Sequence, residues 1–424
     1  MIAVFVFFFL LVIGTPIALV VLFTSLVGTL TYTTTAPNVV IAQMFAGMDT
    51  TTLLAVPFFI VAGMIASKGK TSEKLVQVMN LIFGRLPGGP VIATIFTCAF
   101  FAAISGSSMA TVIAVGSIML PQLKKLGYPK AMNIGVITAG GSIGILIPPS
   151  APMVMFCVAL SSSVGKQFMA GFVPGILLAI AWAIYTLVVC IRHNYHFEAP
   201  KVAFKEGVMV VIKALPALFF PVIVLGSIYA GWATPTESAA ISLVYVTIIE
   251  MFLYRTVKVR EYVEMFFTGL LNSGCLLAII AAATALSWLV SRMQIPVLVT
   301  NFISGFVTSQ LGFLLLMMVI LIIAGCFVDV IALVVIMAPV VLPLLSVYGV
   351  NPIHFGIVAV MASQVGYLSP PFGTNLFVSM KLSKKSFGFV VRGTLPYLII
   401  LCIMMLLCVF FPQLSLWLPT HMMG

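Results

Sequence analysis

Charged residues are scarce in this sequence. They make up 7% of its 424 residues, whereas hydrophobic residues make up 62%. Because soluble globular domains carry about 25% charged residues, the composition excludes that class. No cleavable signal peptide is predicted either, since the first apolar segment starts at Met1 without a basic flank. We predict an all-α protein that crosses a membrane several times.

Patterns for metal binding and catalysis are equally sparse. The seven cysteines have no CxxC spacing, and the four histidines lie in loops or at helix ends. No histidine or paired carboxylate falls within an apolar segment, so the sequence does not predict an enzyme. The net charge of +11 comes from short basic clusters at helix ends rather than from one polar face, which argues against nucleic-acid binding.

Two apolar segments interrupt their own helices. Residues 142–152 read SIGILIPPSAP, and residues 366–371 read GYLSPP. Proline lacks an amide donor and pushes the preceding residue out of the helical region, so a straight helix cannot pass through either segment. Inside a membrane, the carbonyls that lose their partners need protein or a wet cavity around them. We therefore predict two broken transmembrane helices, at 131–160 and 352–379.

The two breaks lie 222 residues apart, because 371 − 149 = 222. The same offset aligns three proline positions, one of them a Pro-Pro pair, and two glycines without a gap: Pro121 with Pro343, Gly127 with Gly349, Gly144 with Gly366, Pro148-Pro149 with Pro370-Pro371, and Pro174 with Pro396. Such a register is improbable by chance and predicts an internal repeat.

Basic residues indicate the orientation of each repeat. Arg85 precedes the apolar residues 88–120 and Lys124 follows them, which places both ends on the cytoplasmic side. We predict a re-entrant hairpin here, with its tip at the sequence SGSS. The corresponding hairpin, 311–345, has no Lys or Arg at either end and is predicted to enter from the outside. The repeats then have inverted topology, as in many secondary transporters.

The remaining segments follow from hydropathy and charge. A polar connection that contains Asp49 leads to a span at 52–67. Amphipathic helices are predicted at 68–87 and 293–310, and a basic cytoplasmic loop at 192–214.

Each half places a hairpin tip 42 residues before the centre of a break, since 149 − 107 = 42 and 371 − 329 = 42. Facing turns of this kind leave free carbonyls and free amides at half-helix ends, so cations and a carboxylate can share a site. Because the available ligands are carbonyls and hydroxyls, Na⁺ is predicted rather than Zn²⁺ or a transition metal. Two such sites imply two or more bound Na⁺ ions as the cofactors.

The predicted site residues form three groups. The first Na⁺ site comprises Ser105, Ser107, Ser108, Gly144, Ile147 and Ser150. The second comprises Gly325, Asp329, Gly366, Ser369 and Phe372. The residues predicted to bind substrate are Ser107, Ser108, Pro149, Thr374 and Asn375.

Each group also has a plainer interpretation. The glycines and serines also fit close helix packing. Asp329 is taken as the one acid within an apolar run, where a carboxylate is costly and a functional role is the default. It also suits a structural partner for an amide or a proton carrier. Thr374 and Asn375 also fit caps of the half-helix that follows the second break.

Three motifs carry a resemblance to a known family. The tip SGSSMATVIAVGSIMLP, the break GGSIGILIPPSAPMV and its counterpart GYLSPPFGTNLF resemble the large membrane (M) subunit of tripartite ATP-independent periplasmic (TRAP) transporters. The resemblance implies a multi-pass protein of the bacterial inner membrane that takes up an organic acid, such as sialic acid or a C4-dicarboxylate, with Na⁺. It also implies a periplasmic substrate-binding protein, a separate small membrane subunit of the Q type, and an elevator-like movement.

The same resemblance divides the chain into a scaffold, 1–67 and 215–290, and a transport domain, 88–191 and 311–411. Related dicarboxylate carriers have Ser-Asn-Thr at each tip, whereas this chain has Ser-Gly-Ser-Ser and Phe-Val-Asp-Val. An ion channel or an H⁺-coupled exchanger built on the same hairpins is the alternative function.

Overall fold

The computed structural model describes residues 2–195, 203–327 and 330–423, and in these ranges the regular structure is entirely helical. The prediction of an all-α polytopic membrane protein is confirmed, since six helices in the described ranges are long and apolar enough to cross a membrane. The α-helices are α1 (Ile2–Val12), α2 (Ile17–Tyr32), α3 (Asn38–Met48), α4 (Ala55–Lys68), α5 (Thr71–Phe83), α6 (Gly89–Ser105), α7 (Ser108–Lys125), α8 (Lys130–Ser142), α9 (Ala151–Ala159), α10 (Val164–Arg192), α11 (Phe204–Tyr229), α12 (Pro235–Ile248), α13 (Val259–Arg292), α14 (Ile295–Ser304), α15 (Gln310–Gly325), α16 (Val330–Val347), α17 (Pro352–Leu368), α18 (Thr374–Ser383), α19 (Phe387–Phe410) and α20 (Gln413–Met423).

One group of helices packs around α13. Helices α2, α3 and α4 all contact it, and α12 packs along α4. Small residues let these helices approach closely: a Cβ on Gly47 would lie 2.2 Å from the Thr284 hydroxyl oxygen, and one on Gly269 would lie 2.6 Å from a Val61 methyl group. This is the packing by small residues that membrane helices use.

A second group combines the two halves of the sequence. Helix α7 packs on α18 and α16 packs on α9, while α8 packs on α19 and α17 packs on α10. The α8–α19 contact brings backbones together, because a Cβ on Gly135 would lie 1.9 Å from the Gly393 carbonyl oxygen. The helices that carry the two breaks are therefore held by partners from the opposite half.

Helix α11 begins earlier than predicted. It starts at Phe204, inside the predicted cytoplasmic loop 192–214, so that boundary is wrong. The extra turns form because Gly207 and Ala214 are buried, while Lys205 and Lys213 lie on the exposed face. Long basic side chains can keep their charge in water while their stems cover apolar surface.

Two short helices have no counterpart in the sequence prediction. Helix α3 lies in the predicted polar connection, and α20 lies beyond residue 411, where the predicted transport domain ends. Helix α20 packs on α10, and its Ser415 hydroxyl lies 2.7 Å from Nδ1 of His354. Both helices are 11 residues long, too short for a spanning signal, and remote contacts hold them in place.

A second acid lies within an apolar run. Glu250 is fully buried, in a π-helical turn at Ile249–Leu253 that continues α12. The sequence prediction named Asp329, in the middle of its apolar run, and did not name Glu250. Asp329 itself lies outside the described residues.

Candidate functional site

Both predicted breaks separate one helix from the next. Helix α8 ends at Ser142, a 3-10 turn follows at Ile143–Ile145, and α9 begins at Ala151. Helix α17 ends at Leu368 and α18 begins at Thr374. The Pro148-Pro149 and Pro370-Pro371 bonds are both cis. The last carbonyls of a helix lack partners within that helix, so each break offers acceptors to its surroundings.

The tip of the first hairpin meets the first break. Gly106, with φ +57°, ends α6, and Ser107 caps α7. A Cβ on Gly106 would lie 2.8 Å from the Pro149 carbonyl oxygen, and one on Gly144 would lie 2.9 Å from that of Ser107. Only glycine allows backbones to come this close, so the two predicted parts of the first site are in contact.

Hydroxyl groups tie this tip together. The Ser107 carbonyl accepts hydrogen bonds from the Thr111 hydroxyl at 2.8 Å and from the Ser105 hydroxyl at 3.4 Å. The hydroxyls of Ser105 and Thr111 lie 3.0 Å apart. Thr111 is fully buried and was not predicted from the sequence. The tip is thus a compact set of oxygen atoms, the ligand type that hard cations prefer.

Two other residues of the predicted first site have partners of their own. The Ser150 hydroxyl donates to the Ile145 carbonyl at 2.8 Å, and the Ser150 carbonyl accepts from the Val154 amide at 3.2 Å. The Ile147 side chain packs on α10, where a Cβ on Gly175 would lie 2.6 Å from it. Any role of Ile147 toward a cation therefore belongs to its carbonyl.

The second hairpin meets the second break through a close backbone contact and a pair of aromatic rings. A Cβ on Gly366 would lie 2.4 Å from the Gly325 carbonyl oxygen. Ser369 caps the end of α17, where its amide donates to the Gly366 carbonyl at 3.2 Å. The exposed Phe372 ring lies 6.0 Å from the ring of Phe327. These contacts bring the described part of the predicted second site together.

Helix α18, from the second half, reaches the first tip. The Ser108 hydroxyl donates to the Asn375 side-chain oxygen at 2.9 Å, and the Asn375 amide donates to the Thr138 carbonyl at 3.2 Å. The Thr138 hydroxyl in turn donates to Ser379 at 2.7 Å. Asn375 is fully buried, and the hydroxyl oxygen of neighbouring Thr374 is buried without a hydrogen-bond partner. Two residues predicted to bind substrate therefore bond each other, and Thr138 and Ser379 were missed.

One contact joins residues at the repeat spacing. The side-chain amide of Gln364 donates to the Ser142 carbonyl at 2.8 Å, and 364 − 142 = 222. Gln364 is fully buried, and its side-chain oxygen has no hydrogen-bond partner. A search for polar residues that are 222 positions apart could have identified this pair from the sequence.

A cavity of about 530 Å³ lies beside the first tip. Its walls come from α4 and α13 on one side, and from the first hairpin, the first break and Tyr367 on the other. Ser107 and Ser108 are part of the lining, whereas Pro149, Thr374 and Asn375 are not. Asn272 and Cys275 of α13 also line it, although sequence reasoning missed them. Asn272 is a lone amide in the run LLNSGCLL, a signal that was available.

The cavity has polar groups but no charged side chain in its lining. Its volume lies within the range of about 300–1,000 Å³ that is typical of small-molecule sites. The first residues of α7 and α9 line it, so two helix N termini adjoin it. Within the described ranges there is no cluster of three His, Cys, Asp or Glu that could hold a metal ion. Broken helices around an uncharged cavity, in a chain with six apolar spans among its described residues, are typical of polytopic membrane transporters.

The sequence comparisons identify the family. The family model described as "Tripartite ATP-independent periplasmic transporter, DctM component" matches residues 4–414. The chain therefore belongs to the DctM-component family of TRAP transporters, which is a transporter permease family and not an enzyme family. The predicted resemblance to the TRAP large subunit is confirmed.

Curated relatives agree with this assignment. The C4-dicarboxylate TRAP transporter large permease protein DctM of Pseudomonas aeruginosa is 37% identical over 89% of this chain and 88% of its own length. The isethionate TRAP transporter permease protein DctMQ of Oleidesulfovibrio alaskensis is 34% identical over 96% of this chain, which spans 64% of that protein. The sialic acid TRAP transporter large permease protein SiaM of Vibrio cholerae is 30% identical over 97% of this chain and 96% of its own length.

A solved structure has a similar fold. The crystal structure of the Alcanivorax borkumensis YdaH transporter matches with a TM-score of 0.64 over 95% of this chain and 98% of that chain. The sequence identity is 14%, so this likeness concerns the fold alone.

Proposed function

We propose that this chain is the transport subunit of an Na⁺-coupled system of the bacterial inner membrane that takes up an organic acid anion. The observation that carries the proposal is the neutral cavity beside the first hairpin tip. The relatives named above are described as permeases for a C4-dicarboxylate, isethionate and sialic acid, which are all organic acids. These names support the substrate class without selecting one acid.

Charge balance supports the coupling to Na⁺. A carboxylate that enters the cavity finds no Lys or Arg in the lining. The N termini of α7 and α9 supply partial positive charge, equivalent to about half an elementary charge each. Cations held by the oxygen atoms of the adjacent tip and break provide the remainder. Binding of the anion then depends on bound Na⁺, which is the basis of symport.

The division into two groups of helices supports an elevator-like movement. The cavity lies between α4 and α13 on one side and the hairpin tip on the other. In this proposal, residues 1–67 and 215–290 form the scaffold, and residues 88–191 and 311–411 form the moving transport domain. The Gln364–Ser142 contact supports the inverted repeat, because equivalent residues meet where a pseudo-twofold axis passes between two copies.

A periplasmic substrate-binding protein and a small Q-type subunit complete the proposed system. The family is that of tripartite transporters, which supports two further components. We place the small subunit on a separate chain. The name DctMQ of one relative shows that the two membrane subunits also occur in a single protein.

Uptake by the reconstituted system tests this proposal. The complete transporter is placed in proteoliposomes, and uptake of a C4-dicarboxylate, isethionate or sialic acid is measured under an inward Na⁺, K⁺ or H⁺ gradient. We expect saturable uptake that needs both the Na⁺ gradient and the binding protein. Uptake driven equally by H⁺ alone, or an ohmic current that does not saturate, would contradict Na⁺ symport and favour the exchanger or the channel.

A further inference from the structure

Glu250 is a buried acid that belongs to neither predicted Na⁺ site. Its side chain is 0% exposed and lies at the end of α12. Glu250 forms no ion pair with a basic side chain of the described residues, unlike the partly exposed Glu261, which lies 3.9 Å from Lys68. A buried carboxylate needs compensation from hydrogen-bond donors.

The donors come chiefly from the first turn of α5, about 180 residues earlier in the chain. The Glu250 carboxylate accepts hydrogen bonds from the Lys70 amide at 3.0 Å, the Thr71 amide at 2.9 Å and the Thr71 hydroxyl at 2.5 Å. The Thr256 hydroxyl is a further donor. Lys70 does not cap α5 with its own side chain, so Glu250 caps this helix from another helix. Both the amides and the helix dipole favour a negative charge there.

Other acids cap their own helices. Glu237 accepts from the Thr234 amide at 2.8 Å at the start of α12, and Glu261 accepts from the Lys258 amide at 3.0 Å at the start of α13. Those bonds stabilise one helix each. The bonds of Glu250 differ because they join α12 to α5, which leads into the first hairpin.

The Glu250 carboxylate packs closely against the connection between α4 and α5. Gly69 lies between the end of α4 and the start of α5, and a Cβ there would lie 2.0 Å from the carboxyl carbon of Glu250. Further along α5, Leu81 packs on α11, at 3.5 Å from the Cβ position of Gly207. Both ends of α5 are therefore in contact with helices of the proposed scaffold.

The hairpin begins after a glycine-rich turn. Residues 84–89 read GRLPGG, and Gly88 has φ +71°. Glycines in such a segment can adopt backbone angles that other residues avoid. This turn connects α5 to the hairpin, so its backbone angles must change when the hairpin moves relative to α5.

We propose that Glu250 is a positioning residue that fastens α5 to the scaffold throughout the transport cycle, so that the movement of the transport domain is taken up at residues 84–89. This inference rests on the elevator-like movement proposed above. Glu250 acts on the position of the first hairpin and does not touch the substrate.

The first test replaces Glu250→Gln in the complete transporter, with Glu237→Gln as the matched control. The Gln side-chain nitrogen cannot accept a bond from the Lys70 or Thr71 amide, so we expect turnover to fall about tenfold or more. The concentrations of Na⁺ and substrate at half-maximal uptake should stay within about twofold, because the cavity is unchanged. Glu237→Gln should keep turnover within about twofold. Equal turnover in both variants would overturn the proposal.

The second test tethers α5 to α11. In a chain whose seven cysteines are replaced, Leu81→Cys and Gly207→Cys are joined with a bifunctional thiol reagent. We expect uptake to continue with this tether in place, and we expect the tether to restore turnover to Glu250→Gln. Loss of uptake on tethering, or failure of that rescue, would overturn the proposal. The Leu81–Gly207 tether in a chain that keeps Glu250 still tests the proposal if the Glu250→Gln variant does not assemble.

A third pair of cysteines separates this inference from the proposed function. Met64→Cys on α4 and Met109→Cys on α7 lie on opposite sides of the cavity. Tethering this pair should stop uptake. If uptake continues with the Met64–Met109 tether, the proposed movement of the transport domain is wrong. If both this tether and the Leu81–Gly207 tether stop uptake, the movement stands and only the anchoring role of Glu250 is wrong.

Discussion

The two halves of the chain have the same order of hairpin and broken helix but hold these parts by different chemistry. The first tip is held by hydroxyls, among them those of Ser105 and Thr111, and the helix that leads to it is capped by Glu250. In the second half, Gly325 and Gly366 meet through backbone, and α14 begins without a side-chain cap. Across the predicted repeat, the described residues therefore share the backbone breaks but not the side chains around them.

The side-chain contacts between the two halves are also unequal. Asn375 reaches from the second half to Ser108 at the first tip. Its counterpart under the repeat offset is Met153, because 375 − 222 = 153, and methionine cannot form the equivalent amide contacts. The first site thus depends on side chains of both halves.

The largest expected effect comes from restoring both helices. Pro149→Ala together with Pro371→Ala returns an amide donor at each break, where each proline disfavours helix by about 3 kcal/mol. We expect normal insertion and a retained or raised melting temperature, with Na⁺-driven uptake reduced about a hundredfold or more. Pro121→Ala with Pro343→Ala is the matched control, since these aligned prolines lie inside α7 and α16. Uptake with unchanged Na⁺ dependence in the first variant would mean that the breaks are only kinks.

The next prediction compares the two close backbone contacts. Gly366→Ala places a Cβ 2.4 Å from the Gly325 carbonyl, and Gly144→Ala places one 2.9 Å from that of Ser107. Overpacking of this kind costs about 1–3 kcal/mol, so both should lower the melting temperature, with Gly366→Ala lowering it more. Gly388→Ala is the control, because no atom lies within 4 Å of its Cβ position. Equal melting temperatures for all three variants would contradict the described contacts.

A smaller effect is expected where the halves meet. Ser108→Ala and Asn375→Ala each remove the 2.9 Å hydrogen bond between them. A double-mutant cycle on unfolding or on Na⁺ affinity should give a coupling energy of about 0.5–1.5 kcal/mol. Purely additive effects would show that the contact joins the halves without linking them energetically.

The smallest effect is predicted for Ser369→Ala. The Ser369 carbonyl already accepts from the Gly373 amide at 3.0 Å, and the substitution leaves that carbonyl in place. Uptake and its Na⁺ dependence should therefore change by less than about twofold. A much larger loss would assign the site to the hydroxyl rather than to backbone shape.

The sequence predicted those features that one segment specifies by itself. The prolines at 148–149 and 370–371 stop a helix locally, and the runs of apolar residues define spans by length. The class of protein, its family and the positions of both breaks follow from such signals. The equal spacing of tip and break in the two halves predicted that each tip lies close to its break. The backbone contacts of Gly106 and Gly325 are consistent with that prediction.

Contacts between distant residues could not be predicted in this way. Thr71 and Glu250 are 179 positions apart, and no local sequence pattern around either residue predicts that they are in contact. Asn375 was interpreted as a substrate contact or a cap, yet it bonds Ser108 and the Thr138 carbonyl. Helices α3 and α20 pack on the remote helices α13 and α10, and these contacts cannot be read from composition.

The most direct test of unequal halves is the Na⁺ dependence of Asp329→Asn. Asp329 lies outside the described residues, but the repeat offset aligns it with Ser107, since 329 − 222 = 107, so the second tip has an acid where the first has a hydroxyl. The measurement is Na⁺-driven uptake by the complete transporter over a range of Na⁺ concentrations, with Ser107→Ala as the comparison. We predict that Asp329→Asn assembles normally and needs about ten times more Na⁺ for half-maximal uptake, a difference of about 1.4 kcal/mol, whereas Ser107→Ala shifts it less. An unchanged Na⁺ titration for Asp329→Asn would contradict the charged second site.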